Sequence, residues 1–434
     1  MKKKVIAWMV LLLCLTLAQC AKEAVDDESG TDTKGDDSND SDTDSDSVKG
    51  NDSNTEADDS IINWADSFEG FDTDTCLDYE LNTKSTHGDW ELNTVGCVAR
   101  YYEIKIGDVR NDGVNRIYAA LHNGHLVEWS YVSEDTWEMR HIGGVPDGAN
   151  ERTDKSERMI SIWVGPGRND GVNRVYAANV NGNTYEFSYN KTSDGWELRN
   201  LGEGNFQTGV VVGDLRNDGV DRVISTGHAI PVNEFSWNDN AWKVTAVSDG
   251  ARSIWPPFIG QARNDGYNRL YCPDWGKPYL REFSWNGFAF EEVEIETAGK
   301  LVKAVTGEGR NDGVERVYAS VMHGHVIEYS ADSNGKWTQV DIMEGREENH
   351  SRYGLYLAKT HDDDINRLYS VAQKGKLTEH VFENNAWTHT NIDAISGASA
   401  DLTVGKARDD DINRVYVAGS NGVLYEYTHS DFAK

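Results

Sequence analysis

The chain has 434 residues, 38% of them hydrophobic, with 14 Trp and 19 Tyr, which is enough apolar material for one large core or several small ones. Its formal net charge is -31. A surface this acidic repels phosphate backbones and anionic lipid headgroups, so we expect no nucleic-acid partner and no docking of the folded part on a membrane.

Residues 1–20 have the pattern of an export signal. Lys2, Lys3 and Lys4 precede an apolar run over 5–17, which is shorter than the roughly 20 residues that a membrane-spanning helix needs. The run ends in Leu-Ala-Gln-Cys at 17–20, which resembles a bacterial lipobox and predicts a lipid anchor on Cys20. Gln19 departs from the lipobox, which prefers a small residue there. The alternative is an ordinary signal peptide cleaved near Ala21.

Residues 21–60 form an acidic tether of Asp, Ser, Thr, Gly and Asn, with 15 acidic residues against 3 Lys. Val25 and Val48 are its branched aliphatic residues. Such a segment cannot bury enough apolar area to offset the entropy of ordering, so we predict a disordered spacer. The folded part is therefore predicted to span 61–434.

Three cysteines lie in that folded part. In an exported protein Cys76 and Cys97 are candidates for a disulfide, which would leave Cys272 unpaired.

A twelve-residue motif recurs seven times, at intervals of 47 to 58 residues, which is the spacing of a repeat fold. The copies span 107–118, 165–176, 213–224, 260–271, 307–318, 358–369 and 405–416, and the first reads GDVRNDGVNRIY.

Each period predicts four short strands. One strand precedes the motif turn, a second follows it, a third carries a repeated Glu, and a fourth opens with an aromatic residue. This pattern, without helical periodicity, predicts an all-β fold, a seven-bladed β-propeller of four-stranded antiparallel blades. The seventh copy has no fourth strand, so we predict that an N-terminal strand at Trp90 closes the last blade.

The motif resembles the calcium-binding turn of the integrin-type FG-GAP and VCBS propellers, over about residues 100–420. That resemblance implies calcium, but arginines occupy two of the ligand positions, and calcium needs six to eight oxygens. We therefore predict a structural staple between Arg and carboxylate rather than a cofactor. Its members are Arg110, Asp112, Arg116, Arg168, Asp170, Arg174, Arg216, Asp218, Arg222, Arg263, Asp265, Arg269, Arg310, Asp312, Arg316, Asp363, Arg367, Arg408, Asp410 and Arg414. Calcium is retained as an alternative, chiefly at the Asp triplets 362–364 and 409–411.

A residue that recurs in every blade is most simply explained by folding, so we look for function where blades depart from the repeat. Five of the seven prolines lie in three loops of blades three and four. Proline stiffens a loop and lowers the entropy lost on binding. The candidate ligand-binding residues in these loops are Trp255, Trp275, Tyr279, Arg252, Asp274, Lys277 and His228. The alternative is that the Trp rings pack onto the loops and plug the mouth of the channel.

The sequence contains no nucleophile elbow, phosphate loop, zinc spacing or nicotinamide fingerprint. The leading hypothesis is a monomeric, non-enzymatic binding or scaffold module that recognises protein or glycan. It would be lipid-anchored at a bacterial cell envelope, on the outer membrane or cell surface, or else secreted. Two alternatives stay open: a glycan-active hydrolase or lyase, and a calcium-dependent adhesion domain.

Overall fold

The computed structural model describes residues 62–63, 84–144, 158–203, 206–248, 250, 252–322, 324–343, 352–372, 376–395, 399–419 and 421–432. These residues form strands and turns without helices, and they belong to one compact unit, Glu56–Lys434. No helix in these ranges has the length and apolarity that a membrane crossing requires. The predicted signal peptide, the tether and Cys76 lie outside the described residues.

Three strands precede the first blade: β1 (Ile62–Asn63), β2 (Ser85–His87) and β3 (Trp90–Cys97). Blade one comprises β4 (Tyr101–Gly107), β5 (Arg116–Leu121), β6 (His125–Ser133) and β7 (Thr136–Gly144). Blade two comprises β8 (Met159–Gly165), β9 (Arg174–Asn179), β10 (Asn183–Asn190) and β11 (Gly195–Glu203). Blade three comprises β12 (Gln207–Gly213), β13 (Arg222–Ile230), β14 (Asn233–Asn238) and β15 (Ala241–Ala246), and β16 (Arg252–Ser253) follows it.

Blade four comprises β17 (Phe258–Gly260), β18 (Arg269–Pro273), β19 (Tyr279–Trp285) and β20 (Phe290–Glu296). Blade five comprises β21 (Leu301–Gly307), β22 (Arg316–Val321), β23 (Val326–Ala331) and β24 (Trp337–Met343). Blade six comprises β25 (Arg352–Ala358), β26 (Arg367–Ala372), β27 (Lys376–Glu383) and β28 (Ala386–Ala394). Blade seven comprises β29 (Ser399–Gly405), β30 (Arg414–Gly419), β31 (Val423–His429) and the early strand β3.

The seven sheets confirm the predicted seven-bladed β-propeller of antiparallel blades. The first strands of neighbouring blades contact one another in an unbroken ring, which places them around the central channel. Strand β3 pairs antiparallel with β31, in register from Trp90 opposite His429 to Cys97 opposite Val423. This pairing confirms the predicted closure by an N-terminal strand. Three strands are additions to the four-stranded plan: β1 pairs with β11, β2 with β3, and β16 with β13.

The second strand of each blade is buried on both faces, because it lies inside its own sheet and between two neighbouring blades. Strands β5, β9, β22, β26 and β30 are buried at every position. In six of the seven blades the aromatic residue at the start of the outer strand contacts, edge-on, a buried Tyr in the second strand of the preceding blade; blade three has Ile224 in place of this Tyr. The ring centroids are 5.9–6.1 Å apart in six such pairs, for example Tyr118 with Trp196 and Tyr369 with Trp90. These ring contacts bind blade to blade.

In blades one to five the motif turn has a left-handed backbone at two positions, which explains its Asn and its Gly. Asn111 has φ +53° and Gly113 has φ +87°. The Asn111 side-chain oxygen also accepts a hydrogen bond from the backbone N–H of Asn173 in the next blade, at 2.8 Å. In blades six and seven the Gly is replaced by Asp364 and Asp411, which keep the left-handed backbone at φ +61° and +60°.

Candidate functional site

The second arginine of the motif closes its own turn. Arg116 donates two hydrogen bonds to the two carboxylate oxygens of Asp112, at 2.9 and 2.8 Å. Because these bonds neutralise the carboxylate, the pKa of Asp112 falls to about 2. The same pair, four residues apart, occurs in every blade: Arg174–Asp170, Arg222–Asp218, Arg269–Asp265, Arg316–Asp312, Arg367–Asp363 and Arg414–Asp410.

The first arginine has a different partner, the repeated Glu of the third strand. Arg110 donates from Nε to Glu128 at 3.1 Å, and the Tyr118 hydroxyl donates to the same carboxylate at 3.0 Å. Five further blades repeat this pair: Arg168–Glu186, Arg216–Glu234, Arg263–Glu282, Arg310–Glu328 and Arg408–Glu426. In blade six His361 takes the place of the arginine and contacts Glu379 at 3.0 Å. All these contacts lie within a blade, and they suit the structural role that the sequence predicts.

Cationic side chains of the chain also occupy the turns proposed for calcium. Lys359 lies 2.6 Å from Asp364, and Lys406 lies 3.1 Å from Asp411. The middle Asp of each triplet, Asp363 or Asp410, faces its motif arginine. These lysines and arginines supply the positive charge that a bound cation would otherwise bring.

The loops of blades three and four meet in one layer, here called the blade 3–4 surface: His228, Trp255, Trp275, Lys277 and Tyr279. Strand β16 pairs with the extended end of β13, with Ser253 opposite His228. The next residues then reach blade four, where the Trp255 N–H donates to the Pro273 carbonyl at 2.9 Å. The linker between the blades therefore joins loops that the sequence could only place separately.

The aromatic rings of this surface contact one another and nearby cations. Trp255 and Trp275 pack edge to face, with centroids 5.3 Å apart and planes at 79°. Lys300 lies 5.6 Å from the Trp275 ring, and Lys277 lies 5.9 Å from the Tyr279 ring. On the blade three side, exposed His228 packs against Phe206, whose residue surface is 45% exposed. Arg252 lies in β16, and its side chain is outside the described part of the structure.

Asp274 lies beneath this surface, with 2% of the residue exposed. Its carboxylate accepts hydrogen bonds from Nε of buried Arg281 at 2.6 Å and from the N–H groups of Gly276 and Lys277 at 2.7 and 3.1 Å. Arg281 also donates to Glu294 at 2.7 Å. Asp274 therefore shapes the loop, and its oxygens point to the protein rather than to a ligand.

The channel contains a cavity of about 300 Å³, which the sequence did not predict. Two of its charged residues, Glu103 and Lys303, come from blades one and five and lie 2.5 Å apart, and Lys105 lies 2.7 Å from Glu103. Asp401 of blade seven lies 3.5 Å from Lys303. Burial opposes the charge on Glu103, but the two lysines outweigh it and lower the pKa of Glu103 to about 2. Two lysines and two carboxyl groups thus meet within the channel, where burial raises the pKa of Asp401 in spite of the lysines beside it.

Residues at equivalent positions of the first strands also form hydrogen bonds between neighbouring blades. The backbone N–H groups of Ile104, Ile162 and Val210 donate to the side chains of Asp401, Glu103 and Ser161, each in the preceding blade, at 3.2, 2.9 and 3.2 Å. Between blades three and four this hydrogen bond cannot form. Gly209 stands where blades seven, one and two have the acceptor side chain, and Pro257, which has no N–H, stands where blades one to three have the donor. A Cβ on Gly209 would lie 2.5 Å from Pro256 Cα, so β12 is in direct contact with the segment that leads into β17.

Cys97 forms a disulfide bond. The sequence predicts Cys76 as its partner, and since Cys76 is outside the described residues that pairing stays a prediction. Cys272 is a buried free thiol, and burial raises its pKa well above the usual value.

No protein-family model matches the chain, and no curated protein matches it. Solved structures do match. Two are crystal structures of BBS1N in complex with ARL6DN, with TM-scores of 0.52 and 0.55 and 13% and 12% identity, each covering 81% of this chain and 97% of the other. A third is YCF48 from Cyanidioschyzon merolae, with a TM-score of 0.51, 11% identity and coverage of 79% and 99%. At these identities the likeness establishes the propeller fold alone.

Proposed function

We propose that this chain is a non-enzymatic binding propeller whose blade 3–4 surface recognises another protein through a segment with acidic side chains. Cys20 would anchor it through a lipid at a bacterial envelope, and the acidic tether would hold the propeller away from the membrane. The repeat would be a variant of the FG-GAP and VCBS type, with arginine in place of calcium ligands.

The observation that carries the proposal is the hydrogen-bonded linker, which joins loops of two blades into one layer. Tyr and Trp are enriched where proteins bind one another, because they offer large rigid contact areas at low entropic cost. Lys277 and Lys300 lie beside these rings, in a chain whose net charge is -31. Two cations at an aromatic surface favour a ligand with acidic groups.

Two further observations support a protein partner without catalysis. The edge-to-face packing of Trp255 and Trp275 directs one ring toward the other, so the pair does not form the open parallel platform on which a sugar ring stacks. Asp274, whose carboxylate would be the candidate for catalysis in these loops, is held by Arg281 and two N–H groups. Among similar structures, BBS1N is described in complex with another protein.

The test is a screen of the full chain against a peptide array and a panel of acidic polysaccharides. The Trp275→Ala/Tyr279→Ala variant is expected to bind the selected peptide at least roughly 30-fold more weakly, the loss of about 2 kcal/mol typical of central aromatic contacts. Matched controls are Tyr267→Ala and Phe288→Ala, exposed aromatics of the same blade in turns on the opposite face, 58% and 94% exposed. These controls should bind like wild type.

Equal binding by the double variant and the controls would refute the surface as the binding site. Selection of polysaccharides alone, with the same dependence on Trp275 and Tyr279, would instead assign the surface to glycan. Turnover of a bound polysaccharide would contradict the non-enzymatic assignment.

A further inference from the structure

The first motif arginine stacks on an aromatic ring of the following blade in six of the seven copies. The distances from the guanidinium carbon to the ring centroid are 4.0–5.6 Å, for Arg110–Tyr189, Arg168–Trp237, Arg216–Trp285, Arg263–Trp337, Arg310–Phe382 and Arg408–Tyr131. Five of these rings occupy one position, three residues after the repeated Glu. The stack is thus a regular part of the joint between blades.

The joint between blades six and seven has imidazoles in both positions. His361 replaces the motif arginine, and His429 replaces the aromatic residue three positions after Glu426. The two rings stack with centroids 3.5 Å apart and planes at 16°. Both partners of the repeated contact have therefore changed together, and this joint has a pair of imidazoles where the other six have an arginine and an aromatic ring.

Asp431 brings a carboxylate to the same point. Its Oδ2 lies 3.1 Å from Nδ1 of His429 and 4.0 Å from Nδ1 of His361. One ligand atom from each of the three residues lies within 4.8 Å of the other two. Two ligands of a tetrahedral zinc ion with bonds of about 2.1 Å are about 3.4 Å apart, so the three ligand atoms are already near this spacing, and rotation of the stacked rings would direct both nitrogen lone pairs at one ion.

Glu379 fixes the orientation of His361. Its carboxylate lies 3.0 Å from His361 Nε2 and also accepts the Tyr369 hydroxyl hydrogen bond at 2.8 Å. A carboxylate on Nε2 selects the tautomer with the proton on that nitrogen, which leaves the Nδ1 lone pair available to a metal ion. Metal-binding histidines usually carry such a carboxylate on the second nitrogen. Glu379 is 7% exposed and Asp431 lies at the surface, so the cluster has a rigid inner side and an open outer side.

We propose that His361, His429 and Asp431 bind one Zn²⁺ ion, through two Nδ1 atoms and one carboxylate oxygen. Two imidazoles and one carboxylate are a ligand set of zinc sites that keep a fourth position for water. Calcium and magnesium prefer sites made of oxygen atoms alone. The site is independent of the blade 3–4 surface, which lies three blades away in the ring.

The ion would strengthen the seam at which the ring closes. The ring of Trp90, from the closing strand β3, lies edge-on to both imidazoles, with centroids 5.6 Å from His361 and 5.1 Å from His429. Zinc would link the end of β31 to the motif turn of blade six, next to the ring of Trp90. Binding to the folded form alone raises the free energy of unfolding by mass action.

The test is calorimetric titration of the untagged full chain with ZnCl2, together with thermal unfolding, and with CaCl2 as the comparison salt. We expect one zinc ion per chain and a rise in Tm of roughly 4 °C at saturation. The main variant is His361→Arg/His429→Tyr, which installs the residues of blade one's joint with blade two and should fold with zinc binding lost. Asp431→Asn, at an exposed position, should weaken binding at least tenfold, and Glu379→Gln should weaken it 10- to 100-fold.

The matched control is His125→Asn, which alters another close histidine pair, with 3.1 Å between His125 Nδ1 and His141 Nε2. This variant should bind zinc like wild type. Absence of zinc binding in the wild type, or full binding in both His361→Arg/His429→Tyr and Asp431→Asn, would overturn the site. Loss of binding in His125→Asn alone would move it to blade one.

Discussion

Lys303 of blade five and Glu103 of blade one form an ion pair inside the channel, with 2.5 Å between Nζ and Oε1. The side chains are 13% and 5% exposed, so neither charge is well hydrated. Removing one partner of a buried pair leaves the other charge uncompensated. We therefore expect Lys303→Met to lower the free energy of unfolding by about 3–5 kcal/mol in urea denaturation. The exposed Lys336→Met change in the same blade should cost less than about 0.5 kcal/mol, and an equal effect of the two would contradict this role.

The channel pair also predicts how stability depends on pH. The pKa of Glu103 in the folded protein, about 2, is below its ordinary value of 4.5. Its contribution is therefore fully present above about pH 4.5 and is lost as the pH falls toward 2. Asp112 and Asp363, whose pKa values also fall to about 2, act in the same direction. Urea unfolding between pH 7 and pH 3 should show a smaller loss for Lys303→Met than for wild type, and parallel curves would exclude the pair as a cause.

The pair of Arg168 and Glu186 offers a test of the repeated contact between motif and third strand. Arg168 donates from Nε to Glu186 at 2.8 Å, and the Glu186 side chain is 1% exposed. Arg168→Met should cost about 3–5 kcal/mol, because it leaves a buried carboxylate with weaker partners. Arg168→Met/Glu186→Gln should recover part of that loss, with a coupling energy of about 1–3 kcal/mol in a double-mutant cycle. Strict additivity would show that the pair contributes little.

Asp274→Asn tests whether that residue shapes its loop. The change removes the carboxylate that accepts the Arg281 hydrogen bond, and such charged hydrogen bonds contribute about 1.5–3 kcal/mol. We expect a loss of stability of that size by chemical denaturation, and faster limited proteolysis between 274 and 279. Unchanged stability together with loss of a polysaccharide-cleaving activity would support the glycan-active alternative instead.

The contact of Gly209 with Pro256 predicts a steric effect. A Cβ at Gly209 would lie 2.5 Å from Pro256 Cα, which is backbone and cannot rotate away. Gly209→Ala should therefore destabilise the protein by about 1–3 kcal/mol, the usual cost of overpacking. At Gly165 the nearest atoms are 3.2 Å away, in the Val212 side chain, so Gly165→Ala should cost less. Thermal unfolding of the two variants decides the matter, and the reverse order would contradict the contact.

The blades could be predicted from the sequence because each repeats the same local signals. The alternation of strand residues, the motif turn and the outer aromatic recur at a nearly constant interval, and the missing fourth strand of the last copy indicated the closure by β3. The partner of the first arginine could also have been found, since Glu128 and its equivalents recur at 18 or 19 residues from that arginine. The pairing itself did not follow from the sequence, because spacing along the chain does not reveal which side chains share a face across two strands.

The channel and the joints could not be predicted in the same way. Glu103, Asp401 and Lys303 lie in three blades, and only ring closure brings them together. The imidazole pair can be detected in the sequence, because His361 and His429 both replace residues that recur in the other copies. To predict that these two histidines meet, one must know that the first motif arginine contacts the following blade, and only the three-dimensional structure shows this contact.

The position of strand β3 determines which step of folding comes last. It is synthesised before blade one, yet its partner β31 belongs to the last blade, so a strand made early is among the last to find its place. Blades one to six hold all four of their own strands and can form from local contacts. The final step joins segments that are distant in sequence, and its entropic cost makes it slow compared with hairpin formation. The rate-limiting event of folding is therefore expected at the seam around Trp90, and mutations there should slow refolding more than equal losses of stability elsewhere.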